Sequence, residues 1–171
     1  MGKSNAQTLV KPILLFAYGN LSRGDDALGP LLLDFVEQHC DLAQLELLTD
    51  FQLQIEHALD LQHRQLVLFA DASVASSSAF SFMQLAPAQD KSYTTHAMSP
   101  AAVMSVYEEI TKQPPPPCFL LGIKGESFEL GEGLSASASA NLLLACRFVE
   151  QLLGKPQITH WQALQINETN L

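Results

Sequence analysis

Two aspartates and a histidine stand where this chain could do chemistry. Asp26 lies in the segment after an apolar run, Asp71 ends another, and His96 precedes a Ser-Pro pair able to open a helix. Two carboxylates and an imidazole form a mixed oxygen and nitrogen donor set, suited to a borderline divalent ion such as nickel, zinc or cadmium. Three protein ligands leave positions open for water or a substrate group. Each residue also has an ordinary structural role open to it. Asp26 could cap a helix, Asp71 could hold the turn after a strand, and His96 could be a hydrogen-bonded loop histidine. Other familiar sets are missing: the chain has no GxSxG elbow, no HExxH, and no GK[ST] ending after Gly19. The Gly19 to Gly24 spacing also fails GxGxxG, so a dinucleotide site has little support.

The elements that must position these residues alternate between strand and helix. Ile13–Tyr18 is a continuous apolar run, which suits a strand buried on both faces. Asp25 and Asp26 then precede Leu28, Leu31, Leu32, Phe35, Val36 and His39, a period of 3.6 with acidic residues at its start. An aspartate there could cap the free N–H groups, and Pro30 fits only a first turn, so the helix should begin near residue 27. Further strands are expected at 45–49, 66–70 and 118–122, with Phe80–Gln84 at an edge. A short helix is expected over 53–61. Ser99-Pro100 should open a helix over 100–111, and Ser135 one over 136–153, ended by Gly154 and Pro156. Residues 114–117 read as a stiff extended connector and 122–133 as an acidic, glycine-rich loop. The tail from 157 holds a short helix around Trp161 or frays. The pattern predicts an α/β fold: one domain over 1–171, core about 13–153, with a mostly parallel twisted sheet of about five strands and helices on both faces. In such sheets ligands bind beyond the carboxyl ends of the strands, where Asp26, Asp71 and His96 all fall.

Composition narrows the partners. The 171 residues are 47% apolar and 16% charged, which excludes disorder and favours a single core. Nine basic against eighteen acidic residues, a net charge of −9, argues against a nucleic-acid backbone or an anionic membrane surface. No segment reaches the roughly 20 apolar residues of a membrane span, and the run at 13–18 is short for a signal peptide, so a cytoplasmic protein is expected. Cys40, Cys118 and Cys146 are widely spaced with no CxxC, and read as three buried, reduced thiols.

Three stretches carry a family resemblance. The string Gly19-Asn20-Leu21-Ser22-Arg23-Gly24-Asp25-Asp26-Ala27-Leu28-Gly29 resembles the GN-x-x-x-x-D-[DE]-x-x-G signature of the [NiFe] hydrogenase maturation endopeptidases. Leu68-Phe69-Ala70-Asp71-Ala72 and Thr95-His96-Ala97-Met98-Ser99-Pro100 match two further motifs in the same order. The resemblance spans about 13–153. It implies an aspartyl-type endopeptidase that removes the C-terminal extension of a hydrogenase large-subunit precursor after nickel insertion. It also implies that Asp26, Asp71 and His96 are the catalytic and metal-contacting positions. Some members carry glutamate at the first of these. The shorter Asp26 must approach the metal more closely or bind it through water.

The segment Asp50-Phe51-Gln52-Leu53-Gln54-Ile55-Glu56-His57 departs from the Asp-Gly-Gly of other members and looks like the branch serving soluble bidirectional hydrogenases, as does Gly125–Gly131. Asn20, Asp25, Gln52 and Glu56 become candidate substrate contacts. Nickel is expected to arrive with the substrate, no organic cofactor is implied, and the protein is expected to act as a monomer. No side chain stands out as a covalent nucleophile, which favours attack by water. A non-catalytic nickel-binding or chaperone module, and a small metal-dependent hydrolase, are the competing readings of the same edge.

Overall fold

A run of six apolar residues has no polar face to offer solvent, and Ile13–Tyr18 (β1) is accordingly buried along its whole length. The computed structural model describes residues 9–89 and 98–166. After β1 come α1 (Leu28–His39), β2 (Leu45–Asp50), β3 (Leu66–Ser73), β4 (Phe80–Gln84), α2 (Pro100–Thr111), β5 (Cys118–Lys124), α3 (Ala136–Gly154) and α4 (Ile158–Ala163). They build one five-stranded sheet in the order β2-β1-β3-β5-β4. Four strands run parallel, and β4 pairs antiparallel with β5 at the edge. The predicted α/β architecture with covered faces is thus the one that forms.

Period-two alternation divides the core. Ile13, Leu15 and Ala17 of β1, with Leu66, Leu68 and Ala70 of β3, face α1 and α3. Leu14, Phe16 and Tyr18, with Val67 and Phe69, face α2 and a 3-10 helix at Ile55–Leu61. The chain leaves β1 through α1 to β2 on one side, then crosses back to β3 on the other. The carboxyl ends of β1 and β3 therefore flank the point where strand order reverses, the crevice in which ligands of such sheets bind.

Several boundaries differ from the sequence reading. The apolar segment at 53–61 forms a 3-10 helix rather than an α-helix. β3 continues three residues past Ala70, so Asp71 is inside the strand and not at its end. β5 likewise runs two residues past Gly122, to Lys124. A Cβ at Gly122 would lie 3.0 Å from the Ser81 hydroxyl and 3.2 Å from the Ser73 Cβ, which explains a glycine inside this strand. The tail is docked: Trp161 is fully buried, donates Nε1–H to the Leu152 carbonyl at 2.9 Å, and meets Phe82 and Phe119 edge-on. Cys118 and Cys146 are buried and Cys40 only partly so; all three are free thiols. Burial pushes Cys118 up to about 12; burial, with Glu150 and Cys40 nearby, pushes Cys146 to about 11, so both are inert at neutral pH. Among the described residues no helix is long and apolar enough to cross a membrane.

Candidate active site

The loop joining β1 to α1 is shaped by backbone contacts that side chains would block. Gly19 has φ +147°, and a Cβ there would fall 2.0 Å from the Asp26 carbonyl oxygen. Gly24, at φ +51°, would place a Cβ 2.5 Å from the Ser127 carbonyl oxygen. Gly29 lets α1 press onto the sheet, because a Cβ would lie 2.6 Å from the Tyr18 carbonyl oxygen and 2.9 Å from that of Ala70. The motif glycines thus bring the start of α1 down over the crevice between β1 and β3. Gly19→Ala should lower stability by at least about 2–3 kcal/mol, since backbone, not a flexible side chain, must yield. Thermal unfolding checks this, and a melting temperature unchanged from wild type would remove the steric argument.

Asn20 closes the turn twice. Its backbone N–H donates to Asp26 Oδ2 at 2.8 Å, and its side-chain carbonyl accepts the Ser22 N–H at 2.8 Å. Asp26 is half-buried and is held by this bond rather than by a helix end. Neither aspartate caps α1. A 3-10 turn at Gly24–Ala27 precedes the helix, and Ala27 at its N-cap makes no side-chain capping bond.

Asp25 is a correction to the sequence reading as a substrate contact. It is fully buried, and its own chain takes up both carboxylate oxygens. Oδ2 accepts the N–H of Glu126 at 2.8 Å, the N–H of Ser127 at 3.0 Å and the Ser135 hydroxyl at 2.8 Å, while Oδ1 accepts the Ser135 N–H at 2.8 Å. Burial raises this carboxyl, but those four donors outweigh it and leave it below its ordinary value. Ser135 in turn caps α3 by accepting the Ala138 N–H at 3.2 Å. Asp25 therefore latches the acidic loop after β5 to the loop after β1, from 110 residues away in the chain.

Asp71 shares the crevice with Asp26. Its Oδ1 accepts the Ala72 N–H at 2.7 Å, and it lies against the Tyr18 side chain, one step beyond the Ala17–Ala70 register pair. Burial drives its carboxyl up to about 7; the Ala72 bond opposes this, the nearby Asp26 charge adds to it, and Tyr18 opposes it again. Tyr18, buried and facing Asp71, is raised well above 10 and stays a neutral donor. Periodicity could not find Tyr18, which reads simply as the last apolar residue of β1.

The third expected member, His96, lies outside the described residues. Met98, two positions on, donates its N–H to the Leu53 carbonyl at 3.3 Å, and Ser99 caps α2 by accepting the Ala102 N–H at 3.1 Å as the sequence predicts. Among the described residues no group of three or more His, Cys, Asp or Glu is placed to hold a metal; Asp26 and Asp71 are a pair. Gln52 and Glu56 are both exposed beyond the carboxyl end of β2. A second histidine, His57, borders this edge. Its Nδ1 accepts the Gln54 N–H at 2.8 Å, so Nε2 carries the proton and faces Asp50 Oδ2 at 3.3 Å, with the ring packed against Phe16. That geometry ties the 3-10 helix to the end of β2.

No family model matches the chain, and no curated protein matches it at significant similarity. Solved structures do match. The hydrogenase maturating endopeptidase HybD from E. coli is 25% identical, with a TM-score of 0.67 over 84% of this chain and 93% of that one. The [NiFe] hydrogenase maturation protease HycI from Thermococcus kodakarensis KOD1 is 20% identical, with a TM-score of 0.65 over 85% and 94%. A hydrogenase 2 maturation peptidase from Thaumarchaeota archaeon SCGC_AB-539-E09 is 20% identical, with a TM-score of 0.61 over 84% and 99%. The chain thus shares the fold of solved hydrogenase maturation proteases, and this likeness supports a peptidase.

Proposed function

We propose that this protein is the endopeptidase that removes the C-terminal extension of a [NiFe] hydrogenase large-subunit precursor once nickel is in place. The observation that carries this is the Asp26–Asp71 pair, held together at the strand-order reversal of a maturation-protease fold. Nickel belongs to the substrate in this reading. It arrives in the precursor and is read by Asp26, Asp71 and His96, so the unloaded precursor binds poorly and cleavage waits for the metal.

The chain's own groups have definable tasks. Asp26 is fixed at Oδ2 by the Asn20 N–H, and its other oxygen is assigned to the metal in this reading. Asp71, with a carboxyl near 7, can hold or release a proton at neutral pH, which suits it to exchange a proton for a cation or to take one from an attacking water. Tyr18 keeps that carboxylate oriented. The bound metal would supply Lewis acidity at the scissile carbonyl or its water. The partner is proposed to be a soluble bidirectional hydrogenase, on the strength of the Asp50–His57 segment, and the protease a cytoplasmic monomer.

The test is the mass of the precursor. Purified protein mixed with nickel-loaded precursor should release a C-terminal peptide, and mixed with nickel-free precursor should not. Asp26→Asn and His96→Ala should fold yet lower the processing rate by at least about 100-fold. Full cleavage by either variant would refute the assignment, and binding without any mass change would leave a chaperone instead.

A further inference from the structure

Resting on that reading, we propose that a groove beside the Gly19–Asn20 loop seats an apolar side chain of the precursor next to a cationic one, and so sets substrate specificity. The groove encloses about 360 Å3 between the carboxyl end of β2 and the start of α1. Leu21, Pro30, Leu33 and Phe51 give it an apolar wall, and Asp34 and Asp50 are the charged residues among the described lining. It opens directly onto Gly19, the neighbour of the Asn20 N–H that fixes Asp26. The volume lies near the lower end of the roughly 300–1,000 Å3 of ligand sites, room for a few side chains and not for a folded surface.

The groove belongs to a wider pattern. Each loop that leaves the carboxyl end of a parallel strand shows one large apolar side chain to solvent. Leu21 follows β1 at 58% exposure, Phe51 follows β2 at 72%, Val74 follows β3 at 73% and Leu130 follows β5 at 68%. Apolar side chains gathered around one edge mark a surface that meets another polypeptide. Leu21 and Phe51 share a concavity, and the charged residues among its described lining are acidic in a chain of net charge −9. The complementary occupant is therefore an extended segment with a large apolar residue beside an arginine or lysine. Asp50 is steadied for this by the Phe51 N–H at 2.7 Å and by His57, while Asp34 is exposed on α1.

The experiment measures KM and kcat for nickel-loaded precursor with wild type, with the Leu21→Ser/Phe51→Ser double variant and with Asp34→Asn. All three sites are exposed, so the variants should keep the wild-type melting temperature. The double variant should raise KM about 10-fold with kcat within twofold. Asp34→Asn should raise it about 3-fold and flatten its dependence on salt. Wild-type KM in both variants would overturn the groove while leaving the protease intact. Absence of cleavage by wild type would overturn the protease; the groove is then read from precursor affinity by titration, where an unchanged Kd in the double variant overturns it too. Sedimentation of all three proteins completes the test. A change of oligomeric state confined to the double variant would give the groove to a second copy of this chain and refute the proposal.

Discussion

Asp71→Asn is expected to raise the stability of the protein at pH 8 while abolishing its processing activity. Burial lifts the Asp71 carboxyl from 3.8 to about 7, so between those values the folded chain binds a proton that the unfolded chain releases. Its contribution to stability is complete below about pH 4 and declines as pH rises towards 7. Above that, the folded state holds a half-buried carboxylate with Asp26 for a neighbour. An amide of the same shape keeps the oxygen that accepts the Ala72 N–H and cannot ionise. The gain should be on the order of 2–4 kcal/mol at pH 8 and should vanish at pH 4. For a domain of this size that is a rise of roughly 5–12 °C in melting temperature. Thermal scans of both proteins at the two pH values measure it. A variant that melts at or below wild type at pH 8 would show that the carboxylate is well accommodated. A gain in stability bought by loss of activity is the usual mark of a residue kept for chemistry.

Asp25 should behave in the opposite way to Asp71. Asp25→Ala removes one side chain and leaves four donors without their acceptor: the N–H groups of Glu126, Ser127 and Ser135, and the Ser135 hydroxyl. Unsatisfied buried donors cost about 1–3 kcal/mol each, and water entering the loop will recover part of that, so a net loss of about 3–5 kcal/mol is expected. Asp25→Asn should not rescue it. Whichever way the amide points, its NH2 group must face at least one N–H donor. Because the folded carboxyl is held below its ordinary value, this stability is present above about pH 4 and is lost as pH falls through the folded pKa. Urea unfolding at pH 7 and hydrogen exchange at residues 126, 127 and 135 check the prediction. Midpoints equal to wild type, or amides that stay protected, would show that the loop holds without its latch. Asp25 and Asp71 are thus separated by sign: the first stabilises the fold and the second strains it once ionised.

The different roles of Asp25 and Asp26 were not legible in the sequence. Asp25 and Asp26 are the same residue type side by side, at the start of a helical pattern where either would make a plausible cap. A strand or helix announces itself through local periodicity, and the order of strands and helices was readable for that reason. The runs at 13–18 and 66–70 are apolar without interruption, and the Ser99 and Ser135 caps act at once on the N–H groups three residues on. Misread boundaries fell where a residue's role depends on a distant partner. Asp71 reads as a strand terminator until β5 pairs with it at Gly122 and carries the ladder on.

The sequence by itself determined the alternation that makes an α/β sheet, the position of Asp26 after β1 and the net charge of −9. These follow from side-chain chemistry and from periods of two and 3.6, which are properties of neighbours along the chain. Only the tertiary structure decided that Asp25 points inward to the loop after β5, that Tyr18 lies against Asp71, and that Leu21 and Phe51 share a groove. Those facts depend on contacts between segments tens of residues apart, which form only when the strand order is set and three glycines let backbone meet backbone at the crevice.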